Sequence, residues 1–388
     1  MALRLIDPPF YSSSLKAYHP DLGWTSRPNT VLHRSINQSY LVRYETNSLG
    51  FRDVEHSYEQ LRNVPNQEPI KIRRIVIIGD SFSEAAQVDL QQTYWFKLKE
   101  ILNQQSRDYW EFHNFGLGDY GTVQELITLQ QFGIPYHPDL IILQVFPFND
   151  ILNNSLTGAN TASNQDAYRP YLDPENNFQT ITYVNPVTNR LRKQSVLLRF
   201  SFLMVNQYIG TWGNEHYFLT IDDRMAFIKQ QVPTDELTTG YDKFYFYYYL
   251  FNTFTPPEHQ LDIVKEGWQA TEQAISQIIK TAQDNRSKTL ILVVPHTQQL
   301  SPFISQWKQD LPYPIDPKYA EDRIQAYVQP YDVPVIRLID SFEGNHNVVQ
   351  PYLEGHFNIE THTLVAKMLA STIVQRFPES FSQSAYIK

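Results

Sequence analysis

The chain has 388 residues, a formal net charge of −9 and no cysteine. With no clustered Lys/Arg stretch it lacks the basic face that a nucleic-acid partner requires, and without cysteine it has no disulfides, thiol nucleophiles or thiolate metal sites. Its best apolar run, Val196–Val205, is broken by Arg199 and is too short to span a bilayer.

Residues 1–70, rich in Pro, Asn, Ser and Tyr, read as irregular structure with short strands wrapped on a core. Tyr40–Tyr44 alternates weakly and is followed by the turn signal Asn47-Ser48-Leu49-Gly50. No chemistry is visible in this segment, and the opening MALRLIDPPF lacks the apolar core of a signal peptide. The rest of the chain is organised around Arg73–Ser83, RRIVIIGDSFS. Ile75–Ile78 run without polar alternation, the pattern of a strand buried on both faces of a parallel sheet. The run stops at Gly79-Asp80-Ser81, where a small residue lets the chain turn sharply. Ligand sites of open α/β sheets lie at such carboxyl ends, so the Ser81 hydroxyl is placed to act on a ligand. The same residues also suit a polar turn that merely caps the next helix.

A helix follows over Tyr94–Gln104, with Phe96, Leu98, Ile101 and Leu102 on one face. Trp110–Phe115 is the second strand, and Gly116–Gly121 a glycine-rich turn. Thr122 with Glu125 three residues on reads as a capping box opening a helix to about Gln131. Asp139–Phe146 is the third strand, ending in Pro147-Phe148-Asn149-Asp150. Residues 152–257 break the rhythm and read as one insertion, with a hairpin around Thr180–Arg190 and the aromatic block Tyr241–Phe254. That block is read as packing the insertion onto the main domain rather than stacking on a sugar or acyl chain. Glu258–Asp284 is a long amphipathic helix, Thr289–Val294 the fourth strand, and Val333–Leu338 the fifth. Pro334 places the fifth at a sheet edge. The last helix covers Thr361–Phe377 and ends at Pro378.

Five β-α units with one excursion predict an α/β fold: a three-layer, five-stranded parallel sheet in flavodoxin-like order, helices on both faces. Residues 71–388 form this domain, with the insertion at about 152–257, and residues 1–70 pack on it. Function then collects at the carboxyl ends of the strands. There stand Ser81, the 116–121 turn, Asn149 and His296, with Glu354 and His356 before the last helix. A serine, a histidine and a carboxylate are the parts of an activated hydroxyl nucleophile. His356 would take the proton of Ser81, and Glu354 would hold the imidazole in the right tautomer. Asn149 and backbone N–H groups of the 116–121 turn would receive an oxyanion. A lone loop histidine is ordinarily a surface residue; the coincidence of four such features at one sheet edge favours a site. His296, which lines the same cleft, has no nearby carboxylate.

Gly116–Gly121 also spells G-x-G-x-x-G between a strand and a helix, the context of a dinucleotide fingerprint. The acidic residue expected about 20 positions on is missing, because that window falls inside the apolar strand Leu140–Phe146. The 11 histidines form no i, i+4 pair with an intervening acid, so no metal site and no cofactor are expected.

The same stretches resemble the SGNH (GDSL) hydrolase superfamily. GDS at Gly79–Ser81, NFGLGDYGT at Asn114–Thr122, FND at Phe148–Asp150 and EGHFN at Glu354–Asn358 match its four blocks. YHPDLGW (Tyr18–Trp24) and NSLGFRD (Asn47–Asp53) look like segments preceding GDS in one bacterial branch. The resemblance implies the SGNH fold, with Ser81 as nucleophile and His356 as base. Asn149 and the backbone N–H groups of Ser81 and of Gly118 or Asp119 would form the oxyanion hole. Asp119 stands where the second block usually has glycine, and a carboxylate beside an oxyanion is repulsive unless it points away. Glu354 stands where the family usually has Asp. The implied activity is ester hydrolysis, of an O-acetyl group on a carbohydrate. The alternatives are an O-acyltransferase using the same site on an exopolysaccharide, and a binding protein that has lost the chemistry. The expected partner is a small-molecule or carbohydrate ester, with no nucleic acid and no membrane span. MALRLIDPP also resembles the end of a membrane anchor carried by relatives of this branch, which implies an extracytoplasmic location.

Overall fold

The computed structural model describes residues 15–36, 40–57, 61–62, 70–155, 169–173, 179–182, 252–300, 314–342, 352–353 and 355–381. Glu354, most of the 152–257 insertion and most of its aromatic block lie outside them.

The N-terminal segment forms two antiparallel pairs, β1 (Lys16–His19) with β2 (Gly23–Ser26) and β3 (Val31–Ile36) with β4 (Tyr40–Glu45). A two-residue strand β5 (Leu61–Arg62) pairs antiparallel with the start of β6 (Ile70–Ile78). The main sheet continues with β7 (Tyr109–Asn114) and β8 (Leu140–Val145). Within the insertion, β9 (Pro170–Asp173) pairs antiparallel with β10 (Gln179–Thr182). Most of the hairpin expected around Thr180–Arg190 lies outside the described residues. Its described strand pairs backwards, Ile181 with Tyr171, because Tyr171 and Leu172 are the apolar residues that can be buried there. β11 (Lys288–Val293) and β12 (Val335–Arg337) complete the main sheet, and a short hairpin of β13 (Tyr352–Leu353) and β14 (His356–Phe357) precedes the last helix.

The five parallel strands stand in the order β7-β6-β8-β11-β12, the flavodoxin-like arrangement. β12, which follows Pro334, is an edge strand as expected. Helices cover the sheet: α1 (Ser81–Glu84), α2 (Tyr94–Gln105), α3 (Thr122–Thr128), α4 (Pro147–Asn154), α5 (Asp262–Asp284), α6 (Tyr319–Val328), α7 (Leu338–Phe342) and α8 (Ile359–Arg376). α2 packs on α8, and α5 packs on α3, α4 and α6. The two groups belong to opposite faces, as right-handed crossovers in this strand order require. The core lies on the sheet: Ile75–Ile78 are fully buried, and so is every residue of β8. Each large apolar side chain removed from water in this way contributes about 1.5–3 kcal/mol.

Two local expectations change. Thr122 is the first residue of α3, not its cap; Gly121 caps it, and its N–H donates to Gln124 Oε1 at 3.2 Å. The capping box fails because the Glu125 carboxylate turns inward, fully buried and with no hydrogen-bond partner for either oxygen among the described residues. Helix α6, which joins β11 to β12, carries only a weak apolar stripe on Ala320, Ile324 and Val328 and has no counterpart among the elements read from the sequence.

Candidate active site

β6 delivers the nucleophile candidate through a turn that several buried groups hold. After Ile78 the Asp80 N–H donates to Gln144 Oε1 at 3.1 Å, and the Ser83 hydroxyl donates to the same oxygen at 3.0 Å. Gln144 is the polar residue inside the apolar strand β8, and it is fully buried. Asp80 caps α1 by accepting the Phe82 N–H at 2.9 Å, which places Ser81 as the first helical residue. The turn at the end of β7 comes so close that a Cβ on Gly116 would lie 2.4 Å from Ser83 Cβ, so only glycine fits.

Ser81 and His356 are brought together. The hydroxyl oxygen of Ser81 lies 2.7 Å from Nε2 of His356, although the two are 275 positions apart. Both are half-buried. His356 opens β14, and its ring packs against Phe82 at a centroid distance of 5.0 Å, while Phe357 packs edge-on to the same phenyl ring at 4.8 Å. Asn358 then caps α8 by accepting the Thr361 N–H at 2.8 Å. Phe357 and the capped helix thus fix where the imidazole stands.

The expected oxyanion donors divide. The Asn149 side chain, on the first turn of α4, donates to Asp80 Oδ2 at 3.3 Å, beside the nucleophile. Gly118 is committed elsewhere: its N–H donates to Glu84 Oε2 at 2.9 Å, because Glu84 turns inward from the end of α1 to meet it. Asp119 has a left-handed backbone, φ +67°, which an aspartate tolerates. Its carboxylate points outward to Lys16 Nζ at 2.7 Å. Partial burial raises that carboxyl, but the Lys16 ammonium, with Arg169 and His356, outweighs it and holds the pKa below the ordinary value. The repulsion anticipated from a carboxylate here is thereby removed.

Residues 1–70, which show no chemistry of their own in the sequence, supply much of the frame through their described part. The β1–β2 hairpin grips the 116–121 turn. Trp24 Nε1 donates to the Gly118 carbonyl at 3.3 Å, and the Tyr120 hydroxyl donates to the Trp24 carbonyl at 2.7 Å. From β4 the Tyr44 hydroxyl donates to Glu84 Oε1 at 2.5 Å. Arg52 is buried and donates to three main-chain carbonyls at and just beyond the end of α1: Glu84 at 3.0 Å, Ala85, and Val88 at 2.5 Å. Ala85 takes φ +54°, the left-handed stop of that helix. Asp53 accepts the Asn114 N–H at 2.7 Å, and the Asn114 side chain donates to the Ser83 carbonyl at 3.1 Å. Arg52 and Asp53 lie inside the NSLGFRD stretch, the one sequence signal that pointed to them.

Three buried carboxyls lie under the nucleophile. Burial raises Asp80 to about 6, and burial together with the neighbouring acids raises Asp150 and Glu125 as well. Burial lowers His362 to about 3, which keeps it neutral where its Nδ1 accepts the Tyr94 N–H at 3.1 Å. His296 is likewise held neutral by burial, down to about 3, and stacks on Phe148 at 3.6 Å.

No family model matches the chain, and no curated protein matches it. Among solved structures it is similar to the lipase/acylhydrolase from Enterococcus faecalis, at 12% identity over 78% of this chain and 96% of that one, with a TM-score of 0.39. It is also similar to a GDSL-like lipase from Bacteroides thetaiotaomicron, at 11% identity over 78% and 89% of the two chains, with a TM-score of 0.36. For the acetyl xylan esterase AlAXEase the values are 12% identity, 77% and 99% coverage, and a TM-score of 0.37.

Proposed function

We propose that the chain is a serine esterase working by an acyl-enzyme mechanism of the SGNH type. The observation that carries this reading is the 2.7 Å separation of Ser81 Oγ and His356 Nε2 at the carboxyl end of β6. In this reading His356 Nε2 takes the hydroxyl proton as Ser81 Oγ attacks the ester carbonyl. The oxyanion of the tetrahedral intermediate accepts the backbone N–H groups of Ser81 and Asp119 and the second amide hydrogen of Asn149. Gly118 contributes indirectly: the bond from its N–H to Glu84 fixes the turn that presents Asp119. The imidazolium then protonates the leaving alcohol, and water, activated by the same histidine, releases the acid. Glu354 is the acid proposed to orient His356.

An O-acetyl group on a carbohydrate is the proposed substrate, on the resemblance of the GDS, FND and EGHFN blocks. The test is a rate comparison of aryl acetate with longer aryl esters, followed by mass spectrometry of an acetylated xylooligosaccharide incubated with the protein. Loss of acetyl groups supports the esterase. Acetyl transfer onto an added, unacetylated oligosaccharide would make it an O-acyltransferase with the same Ser81 chemistry. No turnover of any ester would leave a binding protein and overturn the proposal.

A further inference from the structure

His113 is fully buried on β7, and among the described residues its Nδ1 has no hydrogen-bond partner, while its Nε2 has only an ion-pair contact. Such groups are rare in folded proteins, because an unpaired polar atom at that depth keeps its whole desolvation cost. Its surroundings are not apolar. Two residues back on the same strand face, Glu111 Oε2 lies 3.5 Å from His113 Nε2. The His56 ring stands 4.0 Å from the His113 ring, tilted by 35°. One ligand atom from each of His56, Glu111 and His113 can be chosen so that all three lie within 4.8 Å of one another.

From this convergence we propose that His56, Glu111 and His113 form a binding site for one zinc-class divalent cation. Two imidazoles and a carboxylate are a known zinc ligand set, and imidazole suits borderline metals. Bonds of about 2.1 Å in a tetrahedral site put ligand atoms about 3.4 Å apart. The Glu111–His113 pair already has that spacing, and closing the third ligand inward is a shift of side-chain size.

The supporting groups are those a metal site needs. Asp53 Oδ2 lies 2.9 Å from His56 Nε2, so a carboxylate fixes the tautomer of that ring and leaves Nδ1 for a cation. Arg74 Nε donates to Glu111 Oε2 at 3.0 Å, and its Nη1 to the Tyr136 carbonyl at 3.1 Å, which anchors the carboxylate. Counted together, two carboxylates and one guanidinium leave the cluster at −1 with both imidazoles neutral, so a cation improves the balance. The side chains of His56 and Glu111 are only 6% and 14% exposed, so the cation would be shielded from bulk solvent, with one water completing its tetrahedron. A bound ion would clamp the N-terminal segment to β7, behind the Asp53–Asn114 link to the nucleophile turn. The spacing from residue 56 to residue 111 hides such a site from any short motif.

The test uses the full chain, stripped with chelator and titrated with zinc chloride by calorimetry, with cobalt chloride in parallel for visible d–d absorption. The expected result is one saturable site per chain, cobalt bands between roughly 500 and 650 nm for tetrahedral ligation, and a melting temperature raised by metal. His56→Ala should weaken binding at least about tenfold, and His113→Ala should abolish it, while His259→Ala, at an exposed position, leaves it unchanged. If His113→Ala does not fold, as judged by circular dichroism, His56→Ala decides alone. Absence of saturable binding, or affinity within about tenfold of wild type in folded His56→Ala, would overturn the proposal and assign the His113 nitrogens to ordered water. Because the readouts are affinity, absorption and melting, they are independent of esterase activity.

Discussion

Ser81 and His356 meet through their side chains across 275 positions, whereas Arg52 holds the same turn through three main-chain carbonyls. The first contact needs particular chemical groups at both ends, so each residue sits in a recognisable word, GDS and GHF. The second needs a donor at one end only, since every residue offers a carbonyl. Ser81 and His356 are half-buried and open to a ligand, whereas Arg52 and Asp53 are buried and closed. The comparison teaches that the reactive pair and its frame respond to different substitutions: one should lose chemistry and keep stability, the other should lose stability first.

Four expectations break or sharpen that distinction. The largest effect belongs to the pair. Ser81→Ala and His356→Ala should each lower ester turnover by roughly 10³-fold or more, with melting temperatures close to wild type. Loss of folding in either variant would show that the pair is part of the frame.

Next comes Arg52→Ala, which leaves three carbonyls without their donor and the buried Glu84 without its counter-charge. Chemical denaturation should show a loss of roughly 3–5 kcal/mol. Arg52→Lys should restore little of it, since a point-like ammonium cannot span three acceptors as a planar guanidinium does. Full stability in the lysine variant would refute the role given to the fork.

Glu84→Gln is the intermediate case. A neutral amide oxygen cannot serve both the Gly118 N–H and the Tyr44 hydroxyl as two carboxylate oxygens do. Turnover should fall about tenfold through kcat with KM nearly constant, and stability by roughly 1–3 kcal/mol. An effect on KM alone would place Glu84 at the substrate instead of behind the turn.

The smallest is a gain. The Asp80 carboxyl is raised from 3.8 to about 6 by burial, so the folded state holds its proton more tightly than the unfolded chain. Its stability is full below about pH 4 and lost as pH rises through about 6. Asp80→Asn keeps a capping side chain and removes that loss. The variant should match wild type near pH 4, gain between pH 4 and 6, and hold an advantage of roughly 1–3 kcal/mol above that. Comparing the two proteins at each pH cancels the opposite contribution of His296 and His362. These are held neutral with pKa values of about 3 and cost stability as pH falls below 6.5. An advantage that grows toward acid pH would contradict the assignment.

How much of this was legible follows from the kind of interaction. Ile75–Ile78 and Leu140–Val145 announce themselves because a strand covered on both faces tolerates almost nothing polar, and their parallel order follows from the helices between them. The pairing of Ser81 with His356 follows from that order, since both must stand at the same end of the sheet. Gln144 shows the limit: one polar residue in a buried strand reads as a blemish, yet it holds Asp80 and Ser83. Thr122 with Glu125 matched a cap by spacing, but inward burial of Glu125 overrode the local preference. Arg52 and Asp53 act across about 30 to 60 positions on backbone groups, and Tyr44 across 40 on the Glu84 carboxylate, separations for which no local periodicity exists. Only the likeness of NSLGFRD to a known segment set Arg52 and Asp53 apart, and no signal marked Tyr44.

The most direct test is intact mass spectrometry after reaction with a fluorophosphonate, run on wild type, Ser81→Ala and His356→Ala together. A single adduct on wild type that maps to Ser81, is absent from Ser81→Ala and forms far more slowly on His356→Ala is the predicted result. An unlabelled wild type, or an adduct that survives in Ser81→Ala, would contradict the account.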